Sequence, residues 1–144
     1  MRVTKEIQVS APQDEAFAYV ADFANSADWD PGVATAKKVT EGPVREGTEF
    51  ELVALFRGKR HLFHYVVSEF EPERRLVLSG EGEKAGSVDE ITFEPTGAGT
   101  RIRYVADIKL KGIARVAEPL LGRTMNRMAD DALAGLKSVL DRPR

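Results

Sequence analysis

The last third of the chain changes its hydrophobic period, and that change limits what the rest can be. After Lys111-Gly112, apolar residues recur at helical spacing: Ile113, Val116, Ala117, Leu120, Leu121, Met125, Met128, Ala132, Leu136 and Val139. Arg115, Glu118, Arg123, Arg127, Asp130, Asp131, Lys137 and Asp141 fall mainly on the other side. This predicts one long helix with a wide apolar stripe. Pro119 cannot donate a backbone hydrogen bond, so a kink or a short helix is expected before the main one. Each large apolar side chain on the stripe gains about 1.5–3 kcal/mol on burial, so the helix needs a broad apolar partner.

The preceding residues supply a sheet as that partner. Val3, Lys5, Ile7 and Val9 alternate with Arg2, Thr4, Glu6 and Gln8, the pattern of a half-buried strand. Ser10-Ala11-Pro12-Gln13 reads as a helix start, with Ser10 as the cap, Pro12 in the first turn and Gln13 completing a capping box. Ala16, Phe17 and Val20 give that helix one apolar face. Phe23, Trp29 and the break at Asp30-Pro31-Gly32 predict a second short helix ending in a turn. From Val33 to Leu110 the chain reads as strands joined by short turns. Phe50, Leu52, Ala54 and Phe56 alternate, Gly58-Lys59 is expected as a two-residue hairpin turn, and the next strand runs to Pro72-Glu73. Leu76 to Gly80 continues the series, with turns at Glu83 to Gly86 and Pro95 to Gly99. Ile91 and Phe93 share one face, as do Ile102, Tyr104, Ala106, Ile108 and Leu110. This is a consecutive antiparallel meander and not a series of βαβ units.

Composition narrows the function. The 144 residues carry a net charge of -2, without the basic footprint of a nucleic-acid binder. Lys37-Lys38 and Lys59-Arg60 are isolated pairs on turns or solvated strand faces. No cysteine is present, which excludes disulfides and thiolate metal sites and fits a reducing compartment. The first residues lack the apolar core of a signal peptide, and no apolar run approaches the ~20 residues that span a bilayer. A single domain over residues 1–144, cytoplasmic and without stable membrane insertion, is expected. Oligomeric state is left open.

The order of elements resembles the helix-grip fold of the START-like (SRPBCC) superfamily, which includes the polyketide cyclase/dehydrase and lipid-transport family. The residues that carry the resemblance are Val9-Ser10-Ala11-Pro12 with Ala16-Phe17-Ala18-Tyr19-Val20-Ala21-Asp22, then Trp29-Asp30-Pro31, Phe70-Glu71-Pro72 and Leu110-Lys111-Gly112. The resemblance implies an α+β fold: a curved seven-stranded antiparallel sheet around a long C-terminal helix, with two short helices after the first strand. It also implies a cavity between sheet and helix, used by members for lipids, steroids, polyketides or quinone-like molecules. No universal catalytic motif maps onto this chain, and the fold alone does not decide the function.

Within that frame the candidate ligand contacts are Trp29, Phe50, Leu52, Phe56, Phe63, Tyr65, Phe93, Tyr104, Leu121, Met125 and Met128. With the turn at Gly58-Lys59, Phe56 pairs with His61 and Ala54 with Phe63, which turns His61 toward the concave face as a candidate acid or base. A bulge before Phe70 would alter facing locally. His64, three residues on, points to the opposite face, so the two histidines cannot share a metal from that strand. Tyr65 and Tyr104 each offer a hydroxyl to a ligand carbonyl, or serve as core tyrosines with a backbone partner. The pairs Asp14-Glu15 and Asp130-Asp131 read as solvated helix faces. Gly80-Glu81-Gly82-Glu83-Lys84-Ala85-Gly86 misses the spacing of a dinucleotide loop, and neither GxSxG nor HExxH nor a P-loop occurs. The leading expectation is a cofactor-free and metal-free binder of a small apolar or aromatic molecule. The alternatives are a metal-free polyketide cyclase or dehydratase using His61 and Tyr104, and a partner-regulated interaction module marked by an exposed apolar patch.

Overall fold

A computed structural model describes residues 1–143. Strand β1 (Arg2–Val9) is followed by helix α1 (Gln13–Ala21), a single 3-10 turn (Phe23–Asn25) and the short helix α2 (Ser26–Trp29). Six strands then run in succession: β2 (Val33–Lys38), β3 (Glu49–Phe56), β4 (Lys59–Glu71), β5 (Arg75–Gly82), β6 (Ala85–Thr96) and β7 (Gly99–Leu110). A 3-10 segment (Gly112–Ala117) leads into helix α3 (Glu118–Leu140). The sheet is wholly antiparallel in the order β1-β7-β6-β5-β4-β3-β2, so β1 closes onto the last strand of the meander. It curls around α3 as the sequence resemblance implies. Pro119 stands in the first turn of α3, where its missing N–H has no intrahelical partner to lose.

Two devices shape the sheet. The register of β4 against β5 shifts between Val67 and Glu69, which sends Phe70 inward to meet Phe17 at 5.4 Å between ring centroids. A second shift lies between Val33 and Thr35, near the open edge of the sheet. The packed end of the molecule is built on Phe17, which also meets Phe93 edge-on at 5.2 Å, with Leu76, Ile91, Ile102 and Leu136 fully buried around it.

Three local expectations are corrected. The β3–β4 turn is Arg57-Gly58, both at positive φ, and Phe56 pairs with Lys59, Ala54 with His61 and Leu52 with Phe63. This two-residue turn has the left-handed backbone that matches strand twist. The register therefore moves by two residues, which preserves every side chain's face. Ser10 does not cap α1: its backbone N–H donates to Asp141 Oδ1 at 2.8 Å, and Ala11 N–H donates to the Leu140 carbonyl at 3.1 Å. Gln13 likewise reaches across the fold, donating from Nε2 to the Glu73 carbonyl at 2.7 Å. The start of α1 is thus tied to the end of α3 and to the β4–β5 turn. Finally, Ile113, Val116 and Leu120 do not join the buried stripe. They are 91%, 81% and 80% exposed, and the buried face of α3 begins at Leu121.

Candidate functional site

The concave sheet face and α3 enclose a cavity of about 950 Å³. Its helix wall includes Leu121, Met125 and Met128, and its sheet wall includes Leu52, Phe56, His61, Phe63, Tyr65 and Tyr104. Trp29 closes it from α2 and is only 4% exposed. Nine of the candidate contacts therefore border one space, along with His61. Phe50 and Phe93 are placed elsewhere: they do not line the cavity, and they are buried in the packed core with Phe23 and Phe17 against them.

Glycine makes room for the aromatic wall. Tyr65 pairs with Gly80 and Phe63 with Gly82 across β4 and β5. A Cβ at Gly80 would come within 2.4 Å of the Tyr65 ring, and one at Gly82 within 2.8 Å of the Phe63 ring. The two rings thus lie down over bare backbone instead of standing into the cavity. The glycine-rich stretch is a strand, a turn at Glu83-Lys84 and the start of the next strand.

The polar chemistry is concentrated on β6 and β7. Asp89 is 5% exposed on the concave face, two residues before Ile91. Tyr104, paired with Ile91 and hence diagonal to Asp89, donates its hydroxyl to Asp89 Oδ2 at 2.5 Å. Ser87 donates to Asp89 Oδ1, also at 2.5 Å, and lies beside the Tyr65 hydroxyl. Burial pushes the Asp89 carboxyl above its ordinary value, against the opposing effect of the Ser87 and Tyr104 hydrogen bonds. Burial also holds the Tyr65 and Tyr104 hydroxyls well above the usual tyrosine range, with the Asp89 charge adding to both. From the break after α2, Asp30 lines the same cavity. Its Oδ1 accepts the Gly32 N–H at 2.7 Å, yet burial raises its carboxyl to about 6, with smaller contributions from Asp89 and Asp131.

Sequence reasoning singled out Tyr104 and missed Asp89, Ser87 and Asp30. The signal for Asp89 was present, because the alternation of Phe93 and Ile91 continues backward onto it. The histidines separate as their spacing requires. Both histidines border the cavity, His61 on the face that also carries Phe63 and Tyr65, and His64 on the alternate face, where its ring nitrogen meets Glu49 Oε1 at 2.6 Å. Among the described residues no group of three or more His, Cys, Asp or Glu is arranged to hold a metal ion, and no helix is long and apolar enough to cross a membrane.

A seven-stranded antiparallel sheet gripping a C-terminal helix, with a cavity between them, is the START-like, helix-grip fold. Residues 1–141 match the family described as polyketide cyclase/dehydrase and lipid transport, and the chain belongs to that family. Among solved structures, the Zhui aromatase/cyclase from Streptomyces sp. R1128 is similar with a TM-score of 0.81 at 16% identity, over 99% of this chain and 94% of that one. A protein of Thermus thermophilus gives 0.80 at 21% identity over 97% of each chain. A START superfamily protein from Mycobacterium smegmatis gives 0.74 at 17% identity, over 97% of this chain and 94% of that one. At these identities the likeness is one of fold. No curated protein matches the chain.

Proposed function

We propose that the protein binds a small apolar or aromatic molecule non-covalently between the sheet and α3, as a cytoplasmic carrier or sensor. The observation that carries this reading is the cavity itself: about 950 Å³ of space between the sheet and α3, partly open to solvent, walled by aromatic and aliphatic side chains with a few convergent polar groups and a charged rim. Unfilled space beside Met125 and Met128 forfeits packing contacts, and an apolar occupant restores them. Mass spectra of the freshly purified protein under native conditions, repeated after denaturation, test the reading. A reproducible small adduct released on unfolding is the expected result. An empty protein whose melting temperature no apolar compound raises would sink it.

A second reading, a metal-free cyclase or dehydratase, draws support from the Tyr104–Asp89 pair on the cavity wall. Such chemistry needs a titratable group beside the substrate, and Asp89, Asp30, Tyr104 and His61 all border the cavity. Turnover of a poly-β-keto thioester that is lost in Asp89→Asn and Tyr104→Phe variants would favour this reading. Turnover that survives both would remove these residues from it.

A further inference from the structure

The polar wall of the cavity has an uneven balance of donors and acceptors. The hydroxyl protons of Tyr104 and Ser87 are both directed at Asp89, which leaves the remaining lone pairs of Asp89 and Tyr104 as acceptors, while the Tyr65 hydroxyl bears on Ser87. Tyr104 and Ser87 are only half-buried, so part of each stays open for contact. Asp30 adds a second carboxyl to the same space. Among the described residues, no lysine or arginine bears on either carboxyl. The cavity's basic residues are spent elsewhere or lie at its rim. Lys5 pairs with Asp130 Oδ1 at 2.7 Å and Lys111 with Glu81 Oε2 at 2.6 Å, while Arg57, Lys59, Arg60 and Lys84 are exposed. A buried carboxylate without a cation is expensive, and a cation brought in by a ligand would relieve it. A separate observation marks the lining as incomplete on its α2 side: the buried Trp29 borders the cavity, and its indole N–H has no hydrogen-bond partner among the described residues, a donor that calls for an acceptor on the ligand's body and not for its cation.

We infer that the molecule held in the cavity carries a protonated amine on an aromatic or apolar body, with the amine seated at the Asp89–Tyr104–Ser87 cluster. The inference rests on the binding reading above and names its ligand class. An ammonium group donates to the Asp89 and Tyr104 oxygens and brings the buried carboxyls the cation they lack, and the apolar body fills the space toward Phe63, Leu121 and Met125. A carboxylate of the same shape meets two acidic groups and is rejected.

The test is a matched series of naphthylethylamine, naphthylethanol and naphthylacetate, with affinity for the full chain read from ligand fluorescence at neutral pH. The amine should bind roughly tenfold or more tightly than the alcohol, and the acetate most weakly. Asp89→Asn should abolish the preference for the amine over the alcohol, with the fold of the variant checked by circular dichroism and a cooperative thermal transition. Added salt should leave the preference intact, because a pair inside the cavity is poorly screened whereas attraction at the rim is not. An alcohol that binds as well as the amine, or an acetate that binds best, overturns the amine inference and leaves the container reading standing. Failure of all three to bind overturns both.

Discussion

Tyr104 and Asp89 sit diagonally across the β6–β7 ladder, and the tyrosine hydroxyl donates to Asp89 Oδ2 at 2.5 Å on the wall of the cavity. The ladder register makes this contact. Asp89 faces Ala106, a small neighbour, so the long Tyr104 side chain can lean across from its place opposite Ile91. The pair is the chemical centre of the cavity, and its energetics are open to direct test.

Tyr104→Phe removes the donor to Asp89 Oδ2 without changing the ring. Stability should fall by about 1–3 kcal/mol, the usual loss when a buried acceptor is left unmet. The hydrogen bond from Tyr104 holds the Asp89 carboxyl down, so its removal raises that carboxyl further above its unfolded value. A raised acid favours the folded state at low pH and disfavours it as pH rises through the folded value. The loss should therefore be larger at neutral pH than below 3.8, the ordinary aspartate value. Urea unfolding at the two pH values measures the difference; equal losses would show that Asp89 is not coupled to Tyr104.

Asp30 gives a second pH dependence with the same sign. Its folded value of about 6 stands above the ordinary 3.8, so the folded state takes up the proton first as pH falls. Stability from this group is complete below 3.8 and is lost as pH rises through about 6. The span corresponds to at most on the order of 3 kcal/mol. Asp30→Asn keeps an oxygen for the Gly32 N–H and removes the buried charge, so at neutral pH it should stabilise the protein by about 1–3 kcal/mol. Thermal unfolding across this pH window should show a flatter profile for the variant.

Two glycines of α3 should respond oppositely to alanine. A Cβ added at Gly122 would meet nothing within 4 Å, so Gly122→Ala should stabilise the helix by about 0.5–1 kcal/mol. At Gly135 the same carbon would lie 2.0 Å from the Trp29 carbonyl oxygen. Gly135→Ala must push α2 off α3 and should cost about 2 kcal/mol or more, with a change in Trp29 fluorescence. Denaturation midpoints of the two variants check this, and parallel shifts would contradict the packing of Trp29 on Gly135.

Gly80→Ala addresses the aromatic wall. The added carbon meets the Tyr65 ring, which must stand up into the cavity. A loss of roughly 1–3 kcal/mol is expected, together with weaker binding of any bulky aromatic ligand. Unchanged stability and ligand size preference would show that Tyr65 does not need the bare strand beneath it.

The family frame was readable in the residues because it rests on local periodicity. Alternation along Val3 to Val9 and Ile102 to Leu110, the breaks at Asp30-Pro31-Gly32 and Pro72, and the helical stripe beyond Gly112 each report on their own segment. Facing survived even an error in pairing: the β3–β4 turn sits at Arg57-Gly58 and shifts the register by two, and strand faces repeat every two residues.

By itself, then, the sequence determined the order of the elements, the antiparallel meander and the alternation that groups Tyr65 and Tyr104 with apolar companions, because backbone geometry converts residue spacing into direction, while the facing around His61 waited on the assembled sheet. Tertiary structure alone decided which inward residues pack and which border open space. Phe50 and Phe93 alternate as regularly as Leu52 and Tyr104, yet the 3-10 turn after α1 buries Phe50 against Phe23, and α1 buries Phe93 against Phe17. It also took Ser10 from α1 and tied it to the end of α3, and it left Ile113, Val116 and Leu120 in solvent although their spacing matches the buried stripe. Above all, it gathered Asp89, Ser87, Tyr104 and Asp30 around one cavity. Distance between strands and depth below the surface are properties of the assembled sheet, and they give those carboxyls their chemistry.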